Sequence, residues 1–238
     1  MFEAKHVSWS YPDGYQALQD INLFLERGEC AGLVGANGAG KSTLLRLFAG
    51  IETGGEGRIQ LDGMEYSPKN QLLLRRRIGY VFQNPDDQVF MPTVYDDVAF
   101  GIRNFGLEEA QVERRVAAVL AQLNIGGLKN CPVHKLSGGQ KRSVALAGVL
   151  VMDPEIIFFD EPTAFLDIKG RRAFVEIMKT LGRTSILATH DLELVLELCP
   201  RVMVLAGGRL MADGPARQIL SRGDFMAAAE LEVPASLR

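Results

Sequence analysis

Gly35-Ala-Asn-Gly-Ala-Gly-Lys-Ser-Thr43 is the stretch that decides how this chain reads. It fits G-x-x-x-x-G-K-S/T, with Gly35, Gly40, Lys41 and Ser42 at the fixed positions and Ala36, Asn37, Gly38 and Ala39 between them. Glycines let consecutive backbone N–H groups turn inward around an anion, because no side chain blocks the approach. The residues that follow can open a helix whose N-terminal dipole favours the same negative charge. Lys41 adds a full positive charge for the β- and γ-phosphates of a nucleotide, and the Ser42 hydroxyl can ligate Mg²⁺. Upstream, Glu29-Cys-Ala-Gly-Leu-Val34 reads as a short buried strand. Downstream, Leu44, Leu45, Leu47 and Phe48 give a helix one apolar face. Strand, glycine loop and helix in this order make a nucleotide phosphate site a better account than a chance Gly-rich turn before Lys-Ser.

Three more apolar runs end in polar residues, and ligands bind at the ends of strands in a parallel α/β sheet. Ile156-Ile-Phe-Phe159 reads as a fully buried strand that delivers Asp160 and Glu161. Adjacent acids there are costly unless they have partners or work to do. The first can hold Mg²⁺ through water, and the second, pointing the other way, can orient or deprotonate an attacking water. A purely structural role for the two acids leaves residues 35–43 unexplained. Ile78–Phe82 delivers Gln83, whose amide can ligate Mg²⁺ or hold a water, although read alone it is a loop residue. Thr184–Ala188 ends at Thr189-His190-Asp191, which makes His190 a candidate contact to the γ-phosphate. His6 and His134 have no such setting and read as structural.

Leu136-Ser-Gly-Gly-Gln140 precedes an apolar helix running to about Met152. Ser137 sits as its N-cap, with Gly138 and Gly139 exposing backbone N–H groups. This is either a second anion site at a helix N-terminus or an ordinary Ser-capped helix.

Around these motifs strands and helices alternate, the pattern of an α/β protein. Residues 2–11 read as an edge or surface strand, Pro12-Asp13-Gly14 as a turn and Ala17–Leu25 as a second strand. Tyr11, thirty residues before Lys41, can stack on an adenine ring or pack as a strand-end tyrosine. Arg58–Leu61 reads as a further strand closed by Asp62-Gly63, and Arg75-Arg76-Arg77 as a solvated helix end. Val112, Val116, Leu120 and Leu123 recur at helical spacing within residues 84–135, a mainly helical insertion in the α/β core. A helix over 167–181, a hairpin across Gly207-Gly208, a short helix from Pro215 and a weakly helical tail after residue 222 complete the chain.

At 238 residues and 47% apolar content, the chain can bury one large core or two joined subdomains. A net charge of −3 argues against generic nucleic-acid binding. No apolar run approaches the roughly 18 residues needed to cross a bilayer, and the start lacks the features of a signal peptide. These features predict a soluble cytosolic chain. Cys30, Cys131 and Cys199 are far apart in sequence with no C-x-x-C pair, so free buried thiols are expected rather than a zinc site.

The ordered set of residues 35–43, Gln83, Leu136–Gln140, Ile156–Glu161, Leu166-Asp167 and His190 resembles the ABC-type ATPases, over residues 2–222. Leu-Ser-Gly-Gly-Gln is that family's signature. The resemblance implies a P-loop NTPase core with a parallel sheet (residues 1–83 and 136–222), an antiparallel β subdomain and an inserted helical subdomain (84–135). It implies Tyr11 as the adenine-stacking aromatic and Gly35–Thr43 as the phosphate loop. It places Ser42, Gln83 and Asp160 around Mg²⁺, Glu161 as general base or water-orienting carboxylate, and His190 as the switch histidine. Ser137, Gly138, Gly139, Gln140 and Asp167 would meet ATP bound by a second subunit in a head-to-tail dimer.

Ser10-Tyr-Pro-Asp-Gly14, Phe82-Gln-Asn-Pro-Asp-Asp-Gln88 and Ala229-Glu-Leu-Glu-Val-Pro234 are similar to the ATPases of energy-coupling-factor importers of cobalt, nickel or vitamins. That implies integral-membrane partner subunits, a peripheral place on the cytoplasmic face of the membrane, and no nucleic acid. The competing expectation, a soluble ABC ATPase of DNA repair or translation, usually brings a coiled-coil insertion, a second cassette or a basic face. Phe165 stands where the family has a small residue near the dimer seam, which puts tight closure in doubt. Ala36 replaces a common proline without expected harm. The tail stops earlier than in many relatives, so a reduced C-terminal dimerisation extension is expected.

Overall fold

The computed structural model describes residues 1–164 and 166–238. In chain order the elements are β1 (Phe2–Ser10), β2 (Gln16–Leu25), β3 (Cys30–Val34), α1 (Lys41–Phe48), β4 (Glu56–Leu61), β5 (Met64–Glu65), α2 (Gln71–Arg77), β6 (Ile78–Val81), α3 (Val94–Arg103), α4 (Glu109–Gln122), α5 (Gly138–Leu150), β7 (Ile156–Asp160), α6 (Ile168–Leu181), β8 (Thr184–Ala188), α7 (Leu192–Leu198), β9 (Arg201–Ala206), β10 (Arg209–Pro215), α8 (Ala216–Leu220) and α9 (Gly223–Ala228).

Two sheets organise them. One runs β10-β9-β3-β8-β7-β6 and is parallel except for the edge strand β10; the other runs β2-β1-β4-β5 and is antiparallel. The parallel strands are short and mostly apolar. β7 and β8 are buried at every residue, as strands covered on both faces must be. Because β3, β6, β7 and β8 run in the same direction, their C-terminal ends lie at one edge of the sheet. That edge receives the glycine loop, Gln83, Asp160-Glu161 and Thr189-His190.

One apolar cluster lies between the antiparallel sheet, α1 and one face of the parallel sheet, where Phe2, Phe48 and Phe158 meet edge to face or tilted. A second joins the other face to α3, α4, α5 and α7. α4 buries Val112, Val116, Val119 and Leu120 along one stripe and begins with a capping box between Glu108 and Gln111.

Several expectations need correction. β1 is not an edge strand: it is paired on both sides, by β2 and by β4. Its loose alternation arises from register shifts between Ala4 and Val7 and beyond, which break the period of two. The insertion is mainly helical as expected, its helices α3 and α4 separated by a turn in which Gly106 takes φ 73°. β6 stops at Val81 because the Phe82 N–H donates to Gln88 Oε1 instead of continuing the ladder. Arg77 is no solvated end; it forks onto Glu155 at 2.6 and 2.7 Å and also pairs with Asp62. Phe165 lies outside the described residues.

Candidate nucleotide site

The glycine loop is shaped by contacts that only glycine permits. A Cβ on Gly35 would sit 2.2 Å from the Leu205 carbonyl oxygen, so β9 packs directly against the start of the loop. Gly40, the N-cap of α1, has φ 103°. Lys41 is the first residue of α1 and is buried, and its Nζ donates back to the Gly35 and Ala36 carbonyls at 2.7 and 3.1 Å. Burial lowers the affinity of its amine for a proton, while the charges of Glu161 and Asp160 oppose that shift.

The Asp-Glu pair separates because Asp160 is the last residue of β7 and Glu161 already leaves the strand. Asp160 accepts from Ser42 Oγ at 2.9 Å and from the Tyr80 hydroxyl at 2.9 Å. Burial pushes its carboxyl up, against those two donors. Glu161 turns away from these partners. It accepts from Thr189 Oγ1 at 2.9 Å and from the His190 backbone N–H at 3.0 Å, and His190 Nδ1 lies 2.9 Å from its Oε2. Its backbone is left-handed, φ 45°, a conformation few non-glycine residues hold without surrounding support. That support includes the Glu161 N–H, which donates to the Ala188 carbonyl at 2.9 Å.

Tyr11, Asn37, Gly38, Gly40, Lys41, Ser42, Thr43, Gln83 and Glu161 all line one open cavity of about 340 Å³. Gly35, Ala36 and Ala39 complete the loop without facing this cavity. The Tyr11 hydroxyl shares a 2.7 Å hydrogen bond with Thr43 Oγ1, which ties the aromatic strand end to α1. Ser137, Gly138 and Gly139 are exposed, and none of residues 137–140 lines that cavity. Ser137 does cap α5, in a capping box with Gln140. Asp167 caps α6, accepts from the Gly170 N–H at 2.7 Å, and also lies away from the cavity.

Three further residues belong to the site. Tyr15 lines the cavity, 61% exposed, its ring stacked on Tyr11 at 6.3 Å. Tyr80 clamps Asp160, and its hydroxyl pKa is raised first by burial and then by that carboxylate. Arg142, on α5, donates to the Phe82 carbonyl at 2.7 Å, the Gln83 carbonyl at 2.5 Å and the Ala164 carbonyl at 3.3 Å. It thereby joins the signature helix to the segments bearing Gln83 and Glu161. The period-two position of Tyr80 before Phe82 hinted at a sheet face, but no local pattern announces Arg142. Arg142→Met removes three charge-assisted hydrogen bonds from a side chain only 5% exposed. The expected loss of stability is about 2–4 kcal/mol, read from the midpoint of urea unfolding.

A family model described as ABC transporter matches residues 18–164. The energy-coupling factor transporter ATP-binding protein EcfA of Methanothermobacter thermautotrophicus is 43% identical over 98% of this chain and 77% of its own. The structure of CbiO1 from Clostridium perfringens, part of the ABC transporter complex CbiONQ, superposes with TM-score 0.83 at 41% identity, covering 95% of this chain and 93% of that one. A dimeric ATP-binding cassette in a post-hydrolysis state, bound to ADP and Pi, superposes with TM-score 0.81 at 27% identity, covering 91% and 99%. The chain belongs to the ABC transporter family, and it is an ATP-hydrolysing ATPase of that family.

Proposed function

We propose that this ATPase drives an importer of the energy-coupling-factor type for cobalt, nickel or a vitamin, peripheral to the cytoplasmic face of the membrane. The observation that carries the mechanism is the convergence of Tyr11, Lys41, Ser42, Gln83 and Glu161 on one cavity while Ser137–Gln140 and Asp167 lie outside it. The likeness to EcfA and CbiO1 supports the importer type.

The oxygen donors suit Mg²⁺: Ser42 and Gln83 line the cavity, and the Asp160 carboxylate, which does not line it, lies 2.9 Å from the Ser42 hydroxyl. Bound there with ATP, the ion would supply positive charge to offset that of the phosphates. The loop N–H groups of residues 35–43 hold the phosphates, and Lys41 exchanges its two carbonyl partners for β- and γ-oxygens. Tyr11 stacks on the adenine. Glu161 orients and deprotonates the attacking water, and His190 holds the γ-phosphate from the other side. A head-to-tail homodimer brings Ser137, Gly138, Gly139, Gln140 and Asp167 of one copy against ATP on the other. Two helix N-termini then share one polyphosphate, which neutralises it better than either alone.

Residues 84–135 act as a helical unit that receives helices of an integral-membrane subunit. Phe90 and Phe100 support this. They are 64% and 45% exposed, with rings 5.0 Å apart, an apolar pair that water does not favour unless a partner covers it. The decisive experiment is a pull-down of the tagged chain from native membranes in detergent, with the co-purifying subunits identified. Integral-membrane partners are expected. Ribosomal or DNA-repair proteins without a membrane subunit overturn the proposal. In the same assay Phe90→Asp with Phe100→Asp reduces recovery of the membrane subunit at least tenfold while ATP binding persists. Undiminished recovery excludes this face as the docking site.

A further inference from the structure

The fold brings together two cysteines that lie 169 residues apart. Cys30 opens β3 and Cys199 follows the last turn of α7; their Sγ atoms are 3.6 Å apart. Cys199 is 3% exposed, whereas Cys30 is half-buried and lines a cavity of about 200 Å³ together with Met178, Lys179, Arg183, Ser185 and Glu197. All three thiols are free, as expected, but Cys30 and Cys131 are only half-buried, and Cys30 meets Cys199. One sulfur is reachable by a small solute and the other is packed directly behind it. Nothing in the proposed ATPase chemistry uses either.

We propose that Cys30 and Cys199 form a peroxide-oxidisable dithiol, with Cys30 as the attacking thiol, Cys199 as the resolving thiol and an intramolecular disulfide as the product. Cys30 reacts first because it faces the cavity. The hydrogen bond shared with Cys199, together with one from Ser185, holds the Cys30 thiol below its ordinary range, while the shared bond and burial push Cys199 up. After Cys30 gives its proton to solvent, the thiolate attacks one oxygen of hydrogen peroxide. The S–O bond forms, the O–O bond breaks, and hydroxide leaves and takes up a proton. Cys199 then loses its proton and attacks the Cys30 sulfenic acid. The S–S bond forms, the S–O bond breaks and a second water leaves. Two electrons pass from the sulfurs to the peroxide oxygens.

The bond would tie β3, which runs into the phosphate loop, to α7, which follows His190. These elements already pack as closely as side chains allow: a Cβ on Gly32 of β3 would lie 2.6 Å from Val195 of α7. Closing the sulfurs therefore fastens a contact that exists in the reduced protein. The consequence is added stability of the fold rather than a new arrangement of the nucleotide site.

The test treats the purified full chain with hydrogen peroxide, blocks the remaining thiols with iodoacetamide under denaturing conditions, and maps the peptides by mass spectrometry. The expected product is a Cys30–Cys199 cross-linked peptide, reversed by dithiothreitol, with Cys131 still alkylated. Cys199→Ser should halt Cys30 at a sulfenic acid that dimedone traps, and Cys131→Ser should keep the cross-link. The oxidised wild type should melt about 5–15 °C higher than the reduced form, because the bond closes a very long loop. Oxidation of Cys30 without a cross-link, or equal reactivity of all three cysteines, overturns the proposal. A melting temperature that is unchanged or lowered after cross-linking overturns its stabilising consequence. The wild-type peptide map stands whether or not either variant folds.

Discussion

Glu161→Gln should bind ATP with near-wild-type affinity yet hydrolyse it about 10²–10⁴-fold more slowly, the range expected when a positioned general base is removed. The glutamine keeps the size of the side chain; its oxygen can accept from the His190 N–H while its amide NH₂ donates to Thr189 Oγ1, so the strained backbone at φ 45° retains its supports. What it loses is the negative charge and the ability to take a proton from water. With hydrolysis blocked, the ATP-bound dimer no longer reopens by turnover. Light scattering should then show a dimer in the presence of ATP and Mg²⁺, and a monomer after nucleotide removal. Steady-state phosphate release at the wild-type rate in this variant would exclude Glu161 as the base. A dimer that forms equally without nucleotide would exclude ATP as the closing element.

Lys41→Ala should weaken ATP binding by about 2–4 kcal/mol, roughly 30- to 1000-fold in Kd, the cost of removing one partner of a buried charge pair. Its two carbonyl partners, those of Gly35 and Ala36, belong to a loop beside the open cavity, so water can replace the ammonium and the fold should persist. Titration calorimetry with ATP and Mg²⁺ measures the change, and far-ultraviolet circular dichroism checks that the variant is folded. The effect should be smaller for a nucleotide lacking the γ-phosphate, because part of the lysine's work is done there. An unchanged Kd with the fold intact would contradict the assignment.

The two outcomes separate binding from chemistry. One variant binds without turning over, and the other fails earlier. Together they ask more of the geometry than a loss of activity would, since either residue could abolish turnover by unfolding alone.

How much of this was legible beforehand follows from the range of the interactions. The phosphate loop, the buried run ending in Asp160-Glu161 and the Ser137 cap are written in contiguous residues, because their physics is local: backbone turns, strand burial and helix-terminal hydrogen bonds. The fold class followed, since strands of that type alternating with helices have few arrangements. The sequence of β1 suggests an edge strand because its register shifts disturb the alternation that marks an interior one. Tyr15 carries no signal in sequence, because an exposed aromatic in a turn has no pattern of its own. Arg142 reaches carbonyls 60, 59 and 22 residues away, and no window of sequence contains both ends of such a contact.

By itself, then, the sequence determined the ligand class, the order of the motifs and the sheet edge on which they meet. Those depend on short segments whose backbone geometry is set by glycine, by apolar runs and by caps. Only the tertiary structure decided that Glu161 is held by Thr189 and His190, and that Arg142 joins the signature helix to the Gln83 segment. It alone decided that Cys30 meets Cys199 behind a small cavity. Each of these rests on side chains brought together by packing across the sheet, and packing depends on the whole chain at once.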